Sequence, residues 1–345
     1  MSQRLIAACI AAPLVLILGG IALVVPLPYA SYSPGPTYDI LGKDSDEAEV
    51  VQVDGHDAYY DKGQIRFTTV VASSYGQRLS LGEALSRWID PDKAILPYDV
   101  VHPPETSQAD EKAESAVQMT TSQDVAKAVA LTELGYDVPT AVQVAMVDEE
   151  GPAKDKLLVR DVFKEVDGEP VTDPDQIVKA VREHADGSLV EFRILRDKRE
   201  LTVRLKPEEI EGKPRVGVSL GMGYEFPFAI NLRVDPQVGG PSAGLMFSLA
   251  IYDTLTPGSM TGGATIAGTG ELAPDGKVGP IGGIEQKIAG AEAAGAELFF
   301  VPKDNCADVQ DLHPDLRLVK ATTMHEARLA LDKWVGDHDA ALPSC

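Results

Sequence analysis

The 345-residue sequence predicts an α+β multidomain chain behind a single N-terminal transmembrane helix. Three observations lead there. Leu5 to Val25 is an uncharged apolar run, strand-like and helix-like spacings alternate from Glu49 to Trp334, and a serine among small residues, Ser242, is followed by Lys287 within an α/β alternation.

The apolar run has 21 residues, enough at about 1.5 Å per residue to cross a hydrocarbon core of about 30 Å. Arg4 and the amino terminus supply the upstream positive charge, which orients the N-terminus inside. Residues 1–4 are then a cytoplasmic N-terminus and 5–27 the span. This predicts a single-pass cell-membrane protein with its bulk extracytoplasmic. A cleaved signal peptide ending near Leu27-Pro28-Tyr29-Ala30 is the rival reading, and it exports the remainder equally.

Residues 28–120 read as a β-rich region with an acidic loop. Ser31 to Gly42, with Ser33-Pro34-Gly35-Pro36, is a stiff connection. Glu49 to Val53 and Gln64 to Val70 alternate as strands do, Ser80 to Ile89 reads as a helix, and Pro103 to Glu114 is polar and acidic, a loop. Residues 121–207 give a helix (Asp124 to Leu134), a strand (Ala141 to Val147), a helix (Asp173 to His184) and two strands (Leu189 to Leu195, Leu201 to Leu205). Residues 208–345 give a helix after Ser242 and another at Ile284 to Ala294. Strands at Glu297 to Val301 and Leu316 to Lys320 and a helix at Met324 to Trp334 follow, the alternation of an α/β domain.

Composition removes whole classes of function. With 53 acidic against 31 basic side chains the formal charge is −22, which argues against nucleic acid as a partner. The six histidines, His56, His102, His184, His313, His325 and His338, have no metal-ligand spacing, so neither metal nor cofactor is expected. Of three cysteines, Cys9 falls in the apolar run. Cys306 and Cys345 remain as an outside pair that an oxidising compartment would permit to bridge, or as two free thiols.

Ser242 lies in Gly239-Gly240-Pro241-Ser242-Ala243-Gly244. A serine hydroxyl is a poor nucleophile at neutral pH, so it needs a base in hydrogen-bond reach and donors aimed at the developing oxyanion. Backbone amides around Gly239, Gly240 and Ala243 are the candidate donors, because small residues let a carbonyl come close. Leu245, Met246, Leu249 and Ala250 recur at helical spacing, which puts Ser242 at a helix N-terminus where negative charge is favoured. The same segment also reads as a simple N-cap on a buried helix. Lys287 follows Ile284 by three residues, at the edge of an apolar helix face. Desolvation there lowers a lysine's pKa and makes it a base, although a lysine that packs its stem and keeps its head wet fits the same spacing.

Three motifs in order, Gly240-Pro241-Ser242-Ala243-Gly244, Gly268-Thr269-Gly270-Glu271-Leu272 and Gly279-Pro280-Ile281-Gly282-Gly283-Ile284-Glu285-Gln286-Lys287, resemble the proteolytic domain of Lon-type proteases. The resemblance implies a Ser-Lys dyad with Ser242 as nucleophile and Lys287 as general base. It also implies a supporting role for Thr269, which by itself reads as a turn residue. Val238-Gly239 departs from a polar pair that is common there. The order of elements in 121–207, with Val159-Arg160-Asp161-Val162-Phe163 and Val166-Asp167-Gly168-Glu169-Pro170-Val171, resembles a bacterial PDZ domain, except that Arg160 stands where glycine is usual. Such domains bind extended peptides at a sheet edge, and Leu134-Gly135-Tyr136 is the candidate carboxylate loop. A small αβ spacer without a ligand is the bland alternative. Together these features resemble the membrane-anchored, PDZ-containing Lon-like serine proteases of bacteria, the YlbL type.

The expected activity is an exported serine endopeptidase acting on unfolded or extended polypeptides, with a homo-oligomeric ring allowed by resemblance. No G-x-x-x-x-G-K-[ST] string occurs, so the enzyme is expected to be ATP-independent. Two rivals stand beside it. One is an α/β-hydrolase-type esterase, because Gly240-Pro241-Ser242-Ala243-Gly244 satisfies G-x-S-x-G and Asp304 with His325 follows in order. The other is a non-catalytic peptide-binding scaffold.

Overall fold

The computed structural model describes residues 3–104, 106–196, 198–210 and 212–345. Its helices in chain order are α1 (Gln3–Val24), α2 (Leu81–Trp88), α3 (Tyr98–Val101), α4 (Gln108–Glu133), α5 (Pro174–Glu183), α6 (Gly244–Leu255), α7 (Ile284–Ala293) and α8 (Met324–Gly336). The chain forms two compact units. One holds the chain up to Gln52, Asp57–Ala130 and Asn231–Cys345; the other holds Val53–His56 and Leu131–Ile230.

The expectation of a transmembrane helix is corrected. Among the described residues no helix is long and apolar enough to cross a membrane. Gln3 and Arg4 open α1, and Pro13, Gly19 and Gly20 interrupt its apolar side chains. Residues 1 and 2 of the expected cytoplasmic N-terminus lie outside the described residues.

A six-stranded sheet forms the first unit, in the order Arg317–Ala321, Leu298–Pro302, Thr265–Gly268, Gln64–Ala72, Tyr29–Asp39, Ala94–Pro97. The first four strands are mutually parallel, with Thr265 opposite Gln64 and Ile266 opposite Leu298; the last two join antiparallel. Leu298–Pro302 is buried at every residue, as a strand covered on both faces must be. Ala267, Phe299 and Val301 pack on Ile284, Ile288 and Ala291 of α7, while Phe67 meets Phe247 of α6 with ring centroids 5.3 Å apart.

Two segments differ from the sequence reading. Ser31 to Gly42 is largely strand, and its prolines are accommodated by a register shift between Pro34 and Thr37. The second half of the expected acidic loop is helix, since α4 starts at Gln108. Ser107 and Asp110 exchange hydrogen bonds at its start in the manner of a capping box, and Asp110 with Glu111 suits the dipole of the first turn.

In the second unit an antiparallel sheet runs Val218–Tyr224, Thr140–Val147, Val162–Val166, Val190–Arg196, Arg199–Leu205, around Val144, Phe163, Ile177, Phe192 and Ile194. Asp173 caps α5 in a capping box with Gln176, and Pro174 starts the helix. The edge strand Val218–Tyr224 lies beyond the boundary at 207 that the sequence suggested. Arg160 has φ +75°, a left-handed conformation that explains why glycine is the easier residue there.

Cys306 and Cys345 form a disulfide with a sequence separation of 39. It fixes a tail that also accepts hydrogen bonds from Arg317 at the His338 and Ala340 carbonyls. Closing a loop of this length stabilises by about 3–4 kcal/mol through the unfolded chain. Cys306→Ser is therefore expected to lower stability by about that amount, and a thermal melt with added dithiol should shift the parent protein but not the variant.

Candidate active site

Ser242 precedes α6, which is buried along almost its whole length and whose N-cap is Ala243. Gly244 must be glycine, because a Cβ there would stand 2.8 Å from the Leu272 Cβ. The Ser242 carbonyl accepts from the Gly270 N–H at 2.8 Å and from the Thr269 hydroxyl at 3.0 Å, so the segment 268–272 holds the serine from behind.

Lys287 comes from α7, which leaves Gly283 in the left-handed region at φ +68°. A Cβ at Gly283 would also meet Val70 at 2.7 Å. The lysine is 3% exposed. Its Nζ lies 2.8 Å from the Ser242 Oγ and 3.1 Å from the Thr269 Oγ1. Burial pulls its pKa from 10.5 down to about 7. Since the Thr269 proton is committed to the Ser242 carbonyl, its oxygen is left to accept from Lys287. That contact occupies one N–H of Lys287, and a neutral Lys287 keeps a lone pair able to accept the Ser242 proton.

The oxyanion candidates separate. Gly240 donates its N–H to the Ser115 carbonyl of α4 at 3.0 Å, so this amide is engaged and is not a ready donor, contrary to the sequence reading. Gly239 sits against the same residue: a Cβ there would lie 2.0 Å from the Ser115 Oγ. Ser122 of α4 donates to the Pro241 carbonyl at 3.0 Å. Ala243 is the N-cap of α6, which places its amide at the helix N-terminus. Ser115 and Ser122 were missed because more than a hundred residues separate them from the serine loop, and no spacing rule reaches that far.

A cavity of about 440 Å³ opens at Ser242 and Lys287, walled by Tyr38, Phe67, Val70, Met119 and Val238 with Asp235 on its lining. In the second unit a cavity of about 300 Å³ lies between α5 (Ile177, Val178, Val181) and the edge strand (Val218, Leu220), with Arg182, Lys213 and Arg215 around it. Leu134-Gly135-Tyr136 does not line it. Gly135 closes the end of α4 at φ +86°, and Tyr136 bonds His56.

Lys287 gives a stability prediction. Below about pH 7 the ammonium is protonated in both folded and unfolded chains, and the fold bears its full desolvation cost. Between about 7 and 10.5 only the unfolded chain holds the proton, so stability rises with pH. Lys287→Met should stabilise by about 2–4 kcal/mol below pH 7, and the gain should vanish as pH rises through 10.5. Denaturant titrations at pH 6 and pH 10 check this.

Residues 236–328 match the Lon protease (S16) C-terminal proteolytic domain, and residues 116–206 match the PDZ domain. Lon protease of Metamycoplasma arthritidis is 40% identical over 81 residues, 24% of this chain and 10% of that protein. Lon protease 1 of Bacillus subtilis is 37% identical over 103 residues, 28% of this chain and 13% of that protein. The chain thus spans about a tenth of the length of these curated relatives. The PDZ domain of the SdrC-like protein from Listeria innocua is 22% identical with a TM-score of 0.22, over 23% of this chain and 92% of that one. The chain is thus similar to a PDZ domain over residues 116–206 and to the Lon protease proteolytic domain over residues 236–328, consistent with a PDZ-containing Lon-like protease.

Proposed function

We propose that this chain hydrolyses extended polypeptides through a Ser242-Lys287 dyad, in an oxidising compartment, with the PDZ unit holding part of the substrate. The observation that carries the reading is the contact of a buried, easily deprotonated Lys287 with the Ser242 hydroxyl at 2.8 Å. Lys287 takes the Ser242 proton, Ser242 Oγ attacks the scissile carbonyl, and the lysine returns the proton to the leaving amine. Water, deprotonated by the same lysine, then cleaves the acyl-enzyme. The amide of Ala243, the N-cap of α6, stabilises the oxyanion with help from the helix dipole. None of these steps consumes ATP. The Cys306–Cys345 disulfide supports the compartment.

The esterase reading is disfavoured by the chain before the serine. A nucleophile elbow puts the serine directly after a strand. Here the nearest preceding strand, Ala229–Leu232, ends ten residues earlier.

Ser242→Ala should abolish cleavage of a denatured protein substrate and labelling by a fluorophosphonate probe. Lys287→Ala should do nearly the same, and Thr269→Ala should cost about tenfold in kcat, the factor for losing one hydrogen bond of about 1.4 kcal/mol from the transition state. In the parent enzyme the rate should rise with pH through about 7 as Lys287 loses its proton. A flat profile from pH 5.5 to 8.5 would count against the dyad.

In the second unit, a peptide added to the edge strand Val218–Tyr224 would lay apolar side chains against α5 and bring a carboxylate near Lys213, Arg215 or Arg182. Val178→Glu should therefore slow cleavage of long substrates and leave short fluorogenic peptides unaffected. Equal loss on both would argue against peptide capture by that groove.

A further inference from the structure

The cavity at Ser242 carries an electrostatic preference that the dyad alone does not specify. Its walls, Tyr38, Phe67, Val70, Met119 and Val238, are mostly apolar and suited to a long side-chain stem. Tyr38 stacks on Phe67 with centroids 5.1 Å apart, so this wall is fixed rather than loosely filled. Two charged residues line it, Lys287 at the serine and Asp235.

Asp235 is exposed, and a turn holds it in place. Its Oδ1 accepts from the Gln237 N–H at 2.9 Å, and its carbonyl accepts from the Val238 N–H at 2.9 Å. This leaves the second carboxylate oxygen for a further donor. Among the described residues it has no ion pair.

The surroundings sharpen the point. A second cavity of about 730 Å³ shares Tyr38, Phe67 and Asp235 with the first. Its other charged side chains have partners, with one negative charge in excess: Arg233 pairs with both Asp44 and Asp46, Lys43 pairs with Glu49, and the charge of Arg66 offsets that of Asp39. Among the described residues Asp235 is thus the charged group without an ion pair where the two cavities meet, and its field is felt locally. Burial first and then Asp235 hold the Tyr38 phenol above its ordinary pKa, so the hydroxyl stays neutral beside the carboxylate.

We propose that Asp235 is a specificity-determining residue, selecting substrates with an arginine or lysine side chain in the cavity next to the scissile bond. The inference rests on the proposed peptidase reading and names its substrate class. The aliphatic stem lies on Tyr38, Phe67 and Val70, and the cation reaches Asp235 at the rim. An acidic side chain there meets a fixed like charge. A bound cation also disfavours protonation of Lys287, which keeps the base in its active form.

The test uses the full chain and peptides that differ only in having Arg, Leu or Glu at the residue entering the cavity, located first by mass-spectrometric mapping of cleavage in a carboxymethylated protein. Arg should exceed Glu by at least tenfold in kcat/KM, with the ratio falling in high salt. Asp235→Asn should lower the Arg value about tenfold and leave the Leu value within about twofold, and Asp235→Lys should turn the preference towards Glu. Equal cleavage of Arg and Glu peptides, or equal loss on all three in Asp235→Asn, overturns the proposal. Binding of the same peptides to Ser242→Ala is a separate readout. If the parent enzyme cleaves nothing, the peptidase reading fails, while tighter binding of Arg than Glu, lost in an added Asp235→Asn, still supports the role of Asp235. Equal binding refutes it.

Discussion

The burial of one ammonium group governs the rest of the site. Lys287 is almost wholly removed from water, which costs several kcal/mol unless the proton is shed or the charge is met. Two hydroxyls, those of Ser242 and Thr269, are its bonded partners at 2.8 and 3.1 Å. Neither is a carboxylate, so nothing holds the proton on, and the group settles near pKa 7. A salt-bridged lysine in the same position would be more comfortable and useless as a base. The fold therefore tolerates a local cost that a purely structural lysine would not impose.

That cost is borne by a rigid frame. Thr265–Gly268 lies between Gln64–Ala72 and Leu298–Pro302 in the parallel part of the sheet, and its end delivers Thr269. On the two faces, α6 brings Ser242 and α7 brings Lys287. Gly268 allows this approach, because a Cβ there would stand 2.6 Å from Met246 Sδ and 2.9 Å from the Phe300 Cβ. Packing at this density leaves the three hydroxyl and amine groups few alternative arrangements. The helix α4 adds a third support by engaging Gly240 and Pro241 through Ser115 and Ser122. The amide of Gly240 is consequently committed to structure, as are those of Gly244 and Leu245, which donate to the Pro241 and Gly270 carbonyls, so in the proposed mechanism charge stabilisation falls to the Ala243 amide.

Much of this was legible in the order of residues, because local chemistry wrote it. Helical periodicity located α5, α7 and α8 to within a residue or two, and Ser80 and Asp173 marked two helix starts. Ser242 and Lys287 could be paired only because three motifs occurred in one order; each residue alone had an ordinary structural explanation. Where local chemistry was ambiguous, the reading failed. Prolines in Ser33-Pro34-Gly35-Pro36 suggested a connector, yet sheet pairing with Gln64–Ala72 and a bulge absorbed them. A run of acidic residues suggested a loop, although Ser107 and Asp110 already carried a helix-start signal. The uncharged run at α1 suggested a span, yet among the described residues no helix is long and apolar enough to cross a membrane.

The sequence by itself determined the residue types and their order: a serine among glycines, a lysine on an apolar helix face, a threonine between them in chain order, and two cysteines near the C-terminal end. Tertiary structure decided what each could do. The chain from Tyr29 to Ala72 completes the sheet that holds the Thr265–Gly268 strand. Pairing across roughly two hundred residues leaves no mark in local periodicity. Tertiary structure likewise brought Ser115 to Gly240 and set Asp235 on the lining of the serine cavity with no ion pair among the described residues. Desolvation and charge matching depend on everything within a few ångströms of a group, and that neighbourhood exists only once the chain has folded.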